Sequence, residues 1–195
     1  MTHDLTFAAF DVETANQRRG SICAIGISMV VNGIRTHSRS WLCRPPTGID
    51  TFAPMNIRIH KITPQQVANK PRFHEVWPEV LGLIGNVPVI AHNAEFDISA
   101  VRQACEQSRL PVPMWTYGCT KEYAQSLLSL HNNKLPTVAA ALGVKLLQHH
   151  DATCDADAAA DIVIRLAERT GTTDLPGLAR VSGCRLRRTI GWSGR

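Results

Sequence analysis

The run Thr6-Phe7-Ala8-Ala9-Phe10-Asp11-Val12-Glu13 constrains this chain most, because an uninterrupted apolar strand ends in two carboxylates. Alternate side chains of a strand share a face, so Asp11 and Glu13 project to the same side. Two acids crowded there repel each other, and a divalent cation removes that penalty. Hard cations such as magnesium and manganese prefer oxygen ligands. An exposed pair of acids at a strand end is the plainer alternative.

The rest of the chain fits an α/β layer. Thr6 to Val12 is followed by a second apolar strand over Cys23 to Val31, and Asn32-Gly33 makes a tight hairpin into a third over Arg35 to Cys43. Pro45 to Asp50 reads as loop. Thr63-Pro64 reads as an N-cap with proline at the first helical position, opening a short helix through Val67. Apolar spacing marks a helix over Phe73 to Ile84, Val87 to Ala91 is a buried strand, and Ile98 to Cys105 is helical. Helices are expected over Thr120 to Leu130, after Pro136 up to Gly143, and from Ala152 to Arg169, with Gly171 as a natural stop. Strands first, then alternation, then helices predict a mixed sheet flanked by helices.

With 195 residues, 44% of them hydrophobic and 19% charged, the chain has the composition of one globular domain. No stretch of about 20 apolar residues offers a membrane span, and Met1 to Asp4 lack the start of a secretion signal. A soluble, cytoplasmic protein with no membrane partner is expected. None of the six cysteines forms a Cys-x-x-Cys pair, which argues against structural zinc and for reduced thiols. Of the net charge of +5, residues 171–195 carry +4, through Arg180, Arg185, Arg187, Arg188 and Arg195 against Asp174. The expected division is therefore a domain over residues 1–170 and a basic C-terminal segment over 171–195. That segment either contacts a polyphosphate or is a solvated, flexible tail.

Two further acidic segments stand at element edges. In Val89-Ile90-Ala91-His92-Asn93-Ala94-Glu95-Phe96-Asp97 a buried strand runs into polar residues, and Asp97 falls where a helix begins. In His149-His150-Asp151-Ala152-Thr153-Cys154-Asp155, Asp155 lies one turn into the last helix, and an imidazole near neutrality beside it suits proton abstraction from water. Capping by Asp97 and Asp151, with surface histidines, accounts for each segment taken alone.

Taken together, the ordered set Asp-x-Glu, Asp, then His with four residues before Asp resembles the DEDD superfamily of 3′–5′ exonucleases. The match is to its histidine-containing, DEDDh (DnaQ-like) branch, which includes the proofreading epsilon subunits of bacterial DNA polymerase III. The resemblance spans residues 6–169 and includes Ile59-His60-Lys61-Ile62-Thr63, Ala91-His92-Asn93, and Lys134-Leu135-Pro136 before Leu142-Gly143-Val144. His150 stands at the family's spacing from Asp155, whereas counting from His149 reaches Cys154, so His149 is expected to be a neighbour or a surface residue.

The resemblance implies a ribonuclease H-like fold and hydrolysis of phosphodiester bonds from nucleic acid 3′ ends. DNA, single-stranded or frayed, is the favoured substrate, with nucleoside 5′-monophosphates as products. It further implies two divalent cations, Mg2+ or Mn2+, held by Asp11, Glu13, Asp97 and Asp155, with Asp11 bridging and His150 as general base. Val12, Thr14, Ala15, His92 and Asn93 would line the terminal-nucleotide pocket, and Phe96 and Phe52 are candidates to stack on bases. An exoribonuclease and a non-catalytic nucleic-acid-binding module are the competing readings. The family's Thr-Thr-Gly is here Thr14-Ala15-Asn16, which bears on contacts to the terminal sugar. No glutamine-led apolar peptide for a sliding clamp stands near the C-terminus, so a stand-alone enzyme is expected over a polymerase subunit.

Overall fold

The computed structural model describes residues 4–190 and begins with β1 (Phe7–Thr14), β2 (Ile22–Val31) and β3 (Ile34–Leu42). Three helices follow, α1 (Pro54–His60), α2 (Pro64–Val67) and α3 (Phe73–Ile84), then β4 (Val89–Ala91), α4 (Ala94–Gln107) and β5 (Thr116–Cys119). The remainder is α5 (Thr120–Leu127), α6 (Leu135–Ala141), α7 (Ala152–Thr170), α8 (Leu175–Val181) and the two-residue β6 (Arg187–Arg188). All strands join one sheet in the order β3-β2-β1-β4-β5-β6, in which β1, β4 and β5 run parallel and the other neighbours antiparallel. This is the mixed sheet flanked by helices that the sequence implies. Asn32 and Gly33, both at positive φ, turn β2 into β3.

The alternation of β1 sorts the molecule into two cores. Ala8, Phe10 and Val12 pack with Phe73, Trp77, Ala100 and Trp115 on the α3–α4 face. Phe7 and Ala9 pack with Ile162, Val163 and Leu166 on the α7 face. Asp11 and Glu13 continue that second row, so they emerge under α7 at the strand's C-terminal end.

Glycine at position 26 decides how close α7 comes. Gly26 stands opposite Asp11 in the β1–β2 register, and a Cβ there would collide with the backbone of Ala152. The helix therefore crosses the sheet directly over Gly26 and delivers its first turn beside Asp11. Asp157 and Asp161 pin the same helix to β3 through Arg35, at 2.9 and 3.1 Å. Gly26→Ala should cost about 3 kcal/mol by overpacking. Thermal melts should show a midpoint lower by about 10 °C, and an unchanged midpoint would contradict the close crossing.

The segment after Gly171 differs from a free basic tail. Asp174 caps α8 by accepting from the Gly177 N–H at 2.6 Å, and Leu175, Leu178 and Ala179 are buried. Beyond it, β6 pairs with β5, Arg187 bonds Glu122 at 2.9 Å, and the Thr189 hydroxyl accepts from the Trp115 N–H. Arg195 lies outside the described residues. Helix α1 and strand β5 also go beyond the sequence reading. All six cysteines are free thiols, and no helix among the described residues is long and apolar enough to cross a membrane.

Candidate active site

At the C-terminal end of β1 a cavity of about 480 Å³ opens, lined by Asp11, Glu13, Asp97, Asp155, His149 and His150 among others. The four acids arrive from three elements. Asp11 and Glu13 come up from β1, Asp155 comes down from α7, and Asp97 reaches across from α4 on the opposite face. Asp97 sits in the first turn of α4, but it does not cap that helix. Its Oδ1 accepts from the Val12 N–H at 3.1 Å, which ties α4 to the strand between the two β1 acids.

Carboxylate oxygens of Asp11, Glu13 and Asp155 lie within 4.8 Å of one another. Among the described residues, no lysine or arginine is bonded to any of the four acids, and the buried Oδ2 of Asp11 has no hydrogen-bond partner. Burial, then mutual repulsion, pushes the Glu13 carboxyl up to about 8. Burial raises Asp97 to about 8 against the opposing pull of the Val12 N–H. Asp11 is raised well above the usual carboxylate range by burial and then by Asp97, Glu13 and Asp155. Asp155 is raised by burial, though its bonds to the histidines oppose this. Four clustered acids without a lysine or arginine partner, offering only oxygen ligands, fit hard divalent cations.

The two histidines adopt an arrangement that spacing does not reveal. His150 takes a left-handed backbone, φ 69°, and its backbone N–H donates to Asp155 Oδ2 at 3.1 Å. Its ring stacks on that of His149, centroids 3.8 Å apart, and both rings line the cavity. His149 is no bystander: its Nδ1 lies 3.0 Å from Asp155 Oδ2. Burial, then His149, lowers the His150 pKa below its ordinary value, which favours the neutral imidazole. Asp151 caps α7, accepting from Thr153 and Cys154 N–H groups, as its position suggests.

His92 and Asn93 form the wall at the end of β4. The Asn133 carbonyl only accepts, so His92 Nε2 carries the proton at 3.0 Å and Nδ1 accepts from the Thr120 hydroxyl at 2.8 Å. Burial holds this ring neutral, with its pKa lowered to about 4. Asn93, at φ 72°, opens α4 and receives Lys121 on its side-chain oxygen.

Val12, Thr14 and Phe96 also line the cavity, whereas Ala15 and Phe52 do not. Ala15 is fully buried, and its backbone is spent on Ser21 and Ala53. Asn16, at the departure from Thr-Thr-Gly, ties its amide to the Ile49 and Thr51 carbonyls at 2.9 and 2.6 Å while facing the cavity. The sequence reading passed over Asn56 and gave His60 no role. Both donate to the Thr14 carbonyl, at 2.8 and 3.2 Å, and so fix the strand end that carries Glu13. The signal for His60 lay in the quoted segment Ile59-His60-Lys61-Ile62-Thr63, whereas Asn56 stands before it and carried none. Gln17, Arg19, Ile59 and Leu135 complete the lining.

Residues 8–163 match the RNase T family model, described as an exonuclease. The PolC-type DNA polymerase III of Caldanaerobacter subterraneus subsp. tengcongensis is 28% identical over 187 residues, covering 94% of this chain and 13% of the polymerase. The chain thus spans a small fraction of that relative's length. Exonuclease X, solved in complex with 5′-overhanging duplex DNA, superposes with a TM-score of 0.69 at 26% identity, covering 91% of this chain and 99% of its own. The nuclease domain of 3′hExo, a DEDDh family member bound to rAMP, shares the fold with a TM-score of 0.71 at 18% identity, covering 96% and 97%. Given a family match over residues 8–163, most of its length, and neighbours of the same ribonuclease H-like fold, the chain belongs to the RNase T family of exonucleases.

Proposed function

We propose that this exonuclease removes nucleotides one at a time from the 3′ end of DNA, single-stranded or frayed, and releases nucleoside 5′-monophosphates. The observation that carries the reading is the convergence of Asp11, Glu13, Asp97 and Asp155 on one open cavity beside His150. Asp11, Glu13 and Asp155 would hold one of two divalent cations, magnesium or manganese, and Asp97 would support the second. Cations held there would offset charge on the phosphodiester and acidify a water.

The chain's own residues supply orientation and proton transfer. His150 takes the proton of the attacking water, for which its lowered pKa keeps it in the neutral form. His149 and the His150 N–H hold Asp155 in place. His92 and Asn93 wall the pocket, and the Phe96 ring offers a face to the terminal base. Since a base stacks on an aromatic face whatever its sugar, RNA is the alternative substrate. The chain is proposed to act as a stand-alone enzyme in the cytoplasm, and cleavage by the purified chain without added polymerase checks this.

Incubation of 5′-labelled single-stranded DNA and RNA with manganese tests this directly. A ladder shortening from the 3′ end, absent with chelator and stronger on DNA, is the expected result. A stronger ladder on RNA would move the enzyme to the exoribonucleases. Binding without any ladder on either substrate would show a non-catalytic module.

A further inference from the structure

We propose that Arg19, on the loop between β1 and β2, anchors a backbone phosphate of the substrate strand upstream of the bond being cut. This rests on the exonuclease reading above and adds the residue that grips the chain. Four carboxylates at the cavity floor repel a polyanion, so its approach needs positive charge near the mouth. Among the described residues, Arg19 is the only arginine or lysine that lines this cavity. Its guanidinium carbon sits over the Phe96 ring, 5.5 Å from the centroid, and it has no carboxylate partner among the described residues. Such stacking holds the guanidinium plane while leaving N–H donors free for a phosphate.

The loop that carries Arg19 is fixed at both ends. The Ala15 N–H donates to the Ser21 carbonyl at 2.8 Å, and the Asn16 N–H donates to the Ser21 hydroxyl at 3.1 Å. Asn16 is in turn bound to the carbonyls of Ile49 and Thr51. Gly20 presses against α4, where a Cβ would stand 2.8 Å from the Gln103 carbonyl carbon and 2.9 Å from the Ala104 nitrogen. Arg18 provides a contrast of equal charge. It lines a separate hollow with Gln103, Glu106 and Gln107, away from the acids. Position on this braced loop, not charge alone, singles out Arg19.

The test compares wild type with Arg19→Ala, Arg19→Lys and Arg18→Ala on two substrates. One is an oligothymidylate; the other is the p-nitrophenyl ester of thymidine 5′-monophosphate, which carries only the phosphate to be cut. Arg19→Ala should raise KM for the oligonucleotide about tenfold, as loss of one charge-assisted contact would. It should also reduce the slope of log KM against log salt by about 0.7, and leave hydrolysis of the ester as in wild type. Arg19→Lys should restore most of the salt slope, and Arg18→Ala should match wild type on both substrates. Equal impairment on both substrates, or none on the oligonucleotide, would overturn the proposal. Should wild type cleave neither, the exonuclease reading fails by itself. Arg19 is then still read by anisotropy of a fluorescein-labelled oligothymidylate with calcium, where about tenfold weaker binding by Arg19→Ala supports the anchor and unchanged binding overturns it.

Discussion

Replacing Asp11 by asparagine should abolish cleavage and at the same time make the cation-free protein more stable. Asp11 stands at the meeting point of the acids, its Oδ2 buried and unpartnered, its pKa raised by burial and then by Asp97, Glu13 and Asp155. Asparagine keeps the shape and removes the charge. A ligand whose cation provides several kcal/mol of transition-state stabilisation should cost about a thousandfold or more in rate when lost. In chelator at pH 8, replacing a buried carboxyl whose ionisation its surroundings oppose by a neutral amide should raise the melting midpoint by about 5 °C. Stability is thus held below its attainable value by the residues proposed to carry the chemistry.

The same repulsion fixes a pH dependence. Folding lifts Glu13 and Asp97 from ordinary values of 4.5 and 3.8 to about 8. Between those limits the folded state binds more protons than the unfolded one, so stability in chelator falls as pH rises from about 4.5 towards 8. Below that window the acids are protonated in both states and the penalty is absent. Manganese should therefore raise the midpoint more at pH 8 than at pH 5.5. At a hundredfold excess over its dissociation constant the gain is about 2.7 kcal/mol. Asp11→Asn should lose most of that gain. A variant less stable than wild type in chelator at pH 8 would show that repulsion is not what limits the fold.

What the sequence made legible, and what it hid, follows the range of the interactions. Strands β1 to β3 are readable because their apolar runs and the Asn32-Gly33 turn are local signals. Asp11 and Glu13 are readable as a pair because the period of a strand settles their common face. Strand β5 is four residues long, and only its pairing with β4 makes it a strand. Helix α1 begins at Pro54 but has no side-chain cap, and Ile57 and Ile59 weaken its helical signal. Helix α8 carried a readable Asp174 cap and a Pro176, but the arginines around it invite a reading by charge alone. The approach of Asp155 to Asp11 depends on α7 crossing at Gly26, and a glycine inside an apolar strand does not announce its partner. The role of His149 depends on a left-handed backbone at a residue that is not glycine, which sequence seldom reveals.

That pair of histidines gives the second large expected effect, and their roles separate by what limits the rate. His150→Ala should lower kcat about 10²- to 10⁴-fold at saturating manganese, the usual worth of a positioned base. It should leave the manganese-induced rise in melting midpoint nearly intact, because His150 meets Asp155 through its backbone N–H, which alanine keeps. His149→Ala removes a side chain bonded to Asp155 itself. Its main effect should be to raise the manganese concentration needed for half-maximal activity, by about 10- to 100-fold, with kcat recovered when manganese is raised. The pH profiles should divide in the same way. Since burial and His149 lower the His150 pKa below 6.5, wild-type kcat should fall only on the acid side of that value, and His150→Ala should flatten this limb. If His149→Ala instead lost kcat at saturating manganese while His150→Ala retained it, the base would be the histidine that touches Asp155, and the family spacing would have pointed to the wrong ring.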